Sequence, residues 1–260
     1  MRSFNGVEDW VRKHFFIYRT IRRAAPFLCR FVTLEDGFEV LKYIKATNGN
    51  FVVLDIGAND GTSIRMIRQF QKKARIIAFD PITTPRFNLK NVDLKEFALS
   101  NKSERYSLYT PTVHGKTLTQ YSSFHSEKLR RQIEHDLGIT SKDYGIVEKS
   151  VDAEILDSLN LQPFFIKIDV EGAEKAVLEG SFKTIAKYLP VILIEIQNAE
   201  TFQSISNEMQ KHEYVSISLN PSKNLKSDTM GSNVISEYLN SQNNYVWIPK
   251  NQSSTWSFAQ

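Results

Sequence analysis

A chain of 260 residues, 41% hydrophobic and 24% charged, has the make-up of a globular protein able to bury a sizeable core, and no apolar run in it is long enough to span a bilayer. A net charge of +4 argues against a protein that coats nucleic acid, and a single cysteine, Cys29, excludes an internal disulfide. With one thiol and no stretch resembling a signal-peptide core, the expectation is a cytoplasmic protein, in which the sequons at Asn101 and Asn251 carry little weight.

The positive charge is uneven. Residues 1–30 hold seven Arg or Lys against only Glu8 and Asp9. Val11, Phe15 and Tyr18 share one helical face there, with Trp10, Ile17 and Ile21 beside it. Two roles fit this N-terminal helical segment, which is expected to run over residues 1–49. One is packing on the domain that follows; the other is peripheral contact with an anionic membrane or a partner.

From residue 50 the pattern changes. "FVVLDIG" reads as a buried strand stopped by glycine, and "TSIRMIRQFQKK" as a helix with Thr62 or Ser63 placed to cap it. "ARIIAFD" reads as a second strand, "VDLKEFAL" as a third and "RYSLYTP" as an extended continuation. Between Thr112 and Ser150 the sequence is polar, carries His114, His125 and His135, and predicts one short helix around Glu127 to His135. An insertion of this size is more often functional than idle, and it is the candidate substrate lid of a domain spanning residues 50–260. "VDAEILDSL" then reads as helix, "PFFIKIDV" as strand, "EGAEKAVLEGSFKTIAKYL" as helix and "PVILIEI" as strand. "ETFQSISNEMQKH" is a further helix, and "EYVSISL" and "NNYVWIPK" are the last strands. The alternation predicts an α/β, doubly wound, mostly parallel sheet.

In such sheets ligands sit beyond the carboxyl ends of the strands. The turn "GANDG" follows the first strand, and Gly57 and Gly61 permit a sharp bend and a close backbone approach. It lacks the second glycine of a dinucleotide fingerprint and the lysine of a P-loop. A nucleoside without pyrophosphate is left. Asp80, 23 positions after Gly57, closes the second strand where a carboxylate can accept ribose hydroxyls. Asp55 adds a second negative charge, and two carboxylates suit a cation such as S-adenosylmethionine, with its sulfonium and ammonium. The bland alternatives are that Asp55 caps the loop and that Asp80 opens a turn before Pro81.

Taken in order, "VLDIGANDGTS", "AFDP", "FALSNKSE", "FFIKIDVEGAEKAVLEG" and "PVILIEIQ" resemble the FkbM-type S-adenosylmethionine-dependent methyltransferases, over roughly Phe51 to Gln197. The resemblance implies a seven-stranded, Rossmann-like methyltransferase sheet whose last strands form an antiparallel hairpin. It implies O-methylation of a hydroxyl on a sugar, glycan or related natural product. The cofactor residues expected are Asp55, Gly57, Ala58, Asn59, Gly61, Thr62, Asp80 and Ala98.

A hydroxyl acceptor must lose its proton, which calls for a base or an acidifying metal. Asp169, at the end of the fourth strand, is the first choice, as base or as a partner for the cofactor's amino group. Glu171 and Glu195 are the other catalytic candidates; their alternative roles are at a helix N-terminus and as a structural acid at a strand end. Asp169 and Glu195 with Asn198 could ligate Mg²⁺, although no spacing requires a metal. Lys167 alternates with buried neighbours in "FFIKID"; it is expected to reach solvent from a strand end, with orienting a substrate as the alternative. The three insertion histidines are expected to be exposed, with the role of base as the alternative.

The partner expected is a hydroxyl-bearing small molecule or glycan, and no nucleic acid. A base-flipping amino-methyltransferase would carry an Asn/Asp-Pro-Pro-aromatic turn where this chain has Asp169-Val170-Glu171-Gly172. The competing functions are an N-methyltransferase of nucleic acid or a small molecule, and a non-catalytic nucleoside-binding module of the same fold.

Overall fold

The computed structural model describes residues 37–44, 51–82, 91–196, 198–217 and 244–252. The helix expected over the N-terminal segment lies outside these residues, apart from a 3₁₀ turn at Phe38–Lys42 that buries Phe38, Val40 and Leu41. Eleven strands are described: β1 (Val52–Ile56), β2 (Arg75–Phe79), β3 (Val92–Lys95), β4 (Ala98–Leu99), β5 (Glu104–Val113), β6 (Lys116–Thr117), β7 (Tyr144–Glu154), β8 (Phe165–Ile168), β9 (Val191–Glu195), β10 (Tyr214–Ile217) and β11 (Asn244–Pro249). The helices are α1 (Thr62–Phe70), α2 (Ser126–Leu137), α3 (Glu174–Glu179), α4 (Phe182–Tyr188) and α5 (Ala199–Lys211). The described residues fall into two compact units, a smaller one of residues 105–151 and a larger one drawn from 35–104 and 152–260.

The larger unit is built on a seven-stranded sheet in the order β10-β11-β9-β8-β1-β2-β3. Neighbours from β9 through β8 and β1 to β3 are parallel, whereas β11 runs antiparallel to both β9 and β10. This is the doubly wound, mostly parallel α/β sheet expected, including the closing antiparallel hairpin. The central strands are apolar apart from Asp55 of β1 and Lys167 of β8, as suits a parallel sheet buried on both faces. Leu54, Ile56, Ile166, Ile168, Ile192 and Ile194 all lie in one buried cluster with Phe202, Tyr245 and Trp247. Parallel alignment also brings the carboxyl ends of β1, β2, β8 and β9 to one edge.

Three elements differ from the sequence expectation. "VDLKEFAL" is two strands: β3 extends the large sheet, while β4 pairs with the last residues of β7, Ala98 opposite Ala153. "VDAEILDSL" is not helical at its start, because those same pairings hold residues to Glu154 as strand; a 3₁₀ turn, Leu156–Ser158, follows. The long helix expected after β8 breaks into α3 and α4 at Gly180. A Cβ there would stand 2.1 Å from the Ser100 carbonyl oxygen, so the chain packs backbone against backbone. Asp157 restarts the helix by accepting the Lys183 and Thr184 N–H groups at 3.1 and 2.7 Å.

The smaller unit holds the 112–150 segment. In it β5 lies between β7 and the short β6, with Thr112 opposite Thr117. The helix expected around Glu127 to His135 is α2, which buries Leu129 and Ile133 against Val113, Leu118 and Ile139. The segment is more regular than its polar sequence implied, since β7 takes up its end from Tyr144 with no buried residue before Val151.

Candidate functional site

The turn after β1 is held by β2. Gly57 and Ala58 both donate N–H groups to the Phe79 carbonyl, at 2.9 and 3.3 Å, and Gly61 donates to Ala58 at 2.8 Å. Asn59, whose φ of 42° is left-handed, donates its N–H to Asp80 Oδ2 at 2.7 Å. Asp80 Oδ1 accepts the Ile82 N–H at 2.8 Å, so this carboxylate organises both strand-end turns. Burial pushes the Asp80 carboxyl above its ordinary value, against the two N–H donors that lower it.

Gly57 is required for two reasons. Its φ is +84°, and a Cβ would stand 1.7 Å from the Asp169 carbonyl oxygen, so the turn lies directly against the end of β8. Gly61, at φ 77°, precedes α1 without a side-chain cap. The cap expected from Thr62 or Ser63 comes instead from Asp60, whose Oδ1 accepts the Thr62 N–H at 3.2 Å and its hydroxyl at 2.8 Å. Ser63 is turned inward, donating its hydroxyl to Asp55 Oδ2 at 2.6 Å.

Asp55 therefore sits beneath the turn rather than lining it. It is 0% exposed, its Oδ1 accepts no hydrogen bond among the described residues, and desolvation raises its pKa. The charge that faces it is Lys167. The expectation that Lys167 reaches solvent is overturned: the side chain is 3% exposed, because β1 and β8 pair Asp55 with Lys167 inside the sheet. Its Nζ lies 3.9 Å from Asp55 Oδ1 and donates to Asp169 Oδ2 at 2.8 Å. A lysine spaced two residues from an aspartate on a strand shares its face, and that signal was present in "KID".

Asp169 and Glu195 are brought together. The register that sets Ile168 beside Ile194 places them at adjacent strand ends. Burial first, then the Asp169 charge, lifts the Glu195 carboxyl to about 8, with Lys167 opposing and Glu171 adding to the rise. Glu171 stands in the turn before α3 with a left-handed φ of 54°. Glu174, the first residue of α3, accepts the Gly172 N–H of the same turn at 2.8 Å.

The remaining candidates are placed as follows. Ala98 is buried in β4, three positions past Lys95, whose carbonyl accepts the Asp80 N–H at 3.0 Å. Asn198 caps α5, its Oδ1 accepting the Thr201 N–H at 2.9 Å. Among the described residues no group of three His, Cys, Asp or Glu is placed to hold a metal. His114, His125 and His135 are all exposed within the smaller unit. No described helix is long and apolar enough to cross a membrane.

The edge thus carries an internally satisfied glycine turn and four acids, Asp80, Asp169, Glu171 and Glu195, over a buried Asp55–Lys167 pair. Four N–H groups of the turn are already donated within the protein, which leaves a poor cradle for phosphate. The acids favour a cation.

Residues 55–229 match the Methyltransferase FkbM domain family. No curated protein matches the sequence significantly. Among solved structures, the chain is similar to methyltransferase FkbM from Methylobacillus flagellatus, at 15% identity and a TM-score of 0.47, over 82% of this chain and 48% of that one. It is also similar to Precorrin-6y C5,15-methyltransferase from Geobacter metallireducens, at 14% identity and a TM-score of 0.37, over 81% of this chain and 83% of that one. A third is the MycE methyltransferase of the mycinamycin biosynthetic pathway, in complex with Mg and SAH, at 12% identity and a TM-score of 0.38, over 98% of this chain and 52% of that one. The chain spans about half the length of the first and third of these. The family match covers more than half of the sequence and takes in the glycine turn, Asp80 and the Asp169–Glu195 pair. The chain belongs to the FkbM methyltransferase domain family.

Proposed function

We propose that this protein is an S-adenosylmethionine-dependent O-methyltransferase acting on a hydroxyl of a sugar, glycan or related small natural product. The observation that carries the reading is the convergence of Asp169 and Glu195 on adjacent strand ends beside the glycine turn, where burial and the Asp169 charge lift the Glu195 carboxyl to about 8. A carboxyl poised near neutral pH is suited to remove a proton from an alcohol.

The donor set fits the cofactor. S-adenosylmethionine, when bound, supplies an electrophilic methyl on a positively charged sulfur. Carboxylates, and not N–H groups, are what the edge offers, and the buried Asp55 Oδ1 adds a negative charge beneath the turn without a hydrogen-bond donor of its own. Asp80 would hold the ribose: each of its oxygens has accepted one N–H and retains capacity for a second bond. Gly57, Ala58, Asn59, Gly61 and Thr62 would shape the turn around the nucleoside, with Ala98 near the edge. Asp169, oriented by Lys167, would face the ammonium. Ionised Glu195 then takes the proton of the acceptor hydroxyl, with Glu171 adding to the negative field. The 112–150 segment is proposed to contribute acceptor recognition.

The test is transfer of labelled methyl from S-adenosylmethionine to a panel of sugar nucleotides, glycans and hydroxylated small molecules. Transfer to a hydroxyl, lost in Glu195→Gln, is the expected result. Cofactor binding without transfer to any acceptor, or transfer only to nitrogen or nucleic acid, overturns it.

A further inference from the structure

A lysine buried in the middle of a parallel sheet needs a reason, because removing an ammonium from water is costly unless it is paired. Lys167 is paired on two sides, with Asp55 of β1 at 3.9 Å and Asp169 at 2.8 Å. Ser63 donates to Asp55 Oδ2 at 2.6 Å, which leaves the buried Oδ1 of that carboxylate facing the ammonium. The shorter of the two contacts points outward, to the strand end. Around it the charged groups are Asp55 on β1, Asp80 just past β2, Lys167 on β8 with Asp169 just past it, Glu171 in the turn before α3 and Glu195 on β9, with Ser63 of α1 and Asn244 of β11 as neutral neighbours.

We propose that Lys167 is the positioning residue of this centre: held in the core between Asp55 and Asp169, its ammonium fixes the direction of the Asp169 carboxylate and tempers the negative charge that Asp169 and Glu195 concentrate at the strand ends. The inference deepens the methyl-transfer reading and rests on it for its functional consequence. A lysine that only filled the core would leave the acids beyond it unaffected. One acting through charge must influence Glu195, on which the Lys167 ammonium exerts a lowering effect against the acids that raise it. The same ammonium leaves the second oxygen of Asp169 to meet a cationic ligand or the Glu195 proton.

The variants are Lys167→Met and the double variant Lys167→Met with Asp55→Asn, which avoids stranding a buried carboxylate should the single change fail to fold. Two measurements are made on each. The first is the titration of the Glu195 carboxyl by carbon-detected NMR in the free protein; the expected result is a rise of about one pH unit over the parent. The second is the pH profile of methyl transfer, whose ascending limb should move alkaline by a similar amount, with kcat at neutral pH falling about tenfold and KM for the acceptor little changed. An unshifted Glu195 titration in a folded variant overturns the proposal. Failure of the parent protein to transfer methyl groups would instead overturn the functional reading, while the NMR titration still decides the role of Lys167.

Discussion

Asp80 Oδ2 accepts the Asn59 N–H at 2.7 Å, so the residue that closes β2 fixes the turn that follows β1. Its other oxygen does the same for Ile82, at 2.8 Å. The Asp80→Ala variant strands both N–H groups, and it should lose about 2 kcal/mol of stability in urea titration. The Asp80→Asn variant keeps one acceptor, so it should cost less stability while weakening S-adenosylmethionine binding by about tenfold in calorimetry. Equal binding by Asp80→Asn and the parent would remove the ribose role.

Gly57 is the position where the turn tolerates least. Alanine there meets the Asp169 carbonyl at 1.7 Å and must adopt φ +84°. The left-handed conformation alone costs roughly 1–2 kcal/mol, and relief of the clash must separate β1 from β8. The Gly57→Ala variant should melt several degrees below the parent by scanning calorimetry and lose cofactor binding altogether. A normal melting temperature would show that the strand ends are looser than the structure has them.

Glu195 gives stability a pH dependence of definite sign. Its carboxyl ionises at about 8 in the native protein against 4.5 in the unfolded chain, so between those values the native state holds a proton that the unfolded state has released. Stability from this group is complete below pH 4.5 and declines as pH rises to 8, by up to about 1.4 kcal/mol per pH unit for one proton. Burial of Asp55 and Asp80 acts in the same direction. Denaturant titrations at several pH values should show a shallower alkaline decline in Glu195→Gln than in the parent.

Asp157 supplies a control away from the edge. It caps α4 through the Lys183 and Thr184 N–H groups. The Asp157→Ala variant should lose about 1–2 kcal/mol in denaturant titration and leave methyl transfer unchanged once folded. A large loss of activity in this variant would mean that the helix start couples to the site.

The sequence by itself determined the fold class, because apolar runs ending in glycine or an acid, separated by helical spacing, admit little but a covered parallel sheet. It also determined the turn at Gly57–Gly61 and the acids at 80, 169, 171 and 195, since each sits where a strand must stop. The element boundaries were less legible. "VDAEILDSL" has helical spacing, and only pairing across to Ala98 makes its first residues strand; Gly180 breaks a helix because of Ser100, a residue eighty positions away. Lys167 is the residue at the site that local pattern misplaces. Its position two residues before Asp169 is written in the chain, but its burial follows from Asp55 arriving beside it when β1 pairs with β8. That pairing, and the one that sets Asp169 against Glu195, join residues more than twenty positions apart. Charge–charge geometry of this kind depends on distance in space, which no local pattern encodes. "GANDG" marks the strand-end turn in the sequence; only the tertiary structure sets beside it the buried Glu195 carboxyl that holds its proton up to about 8.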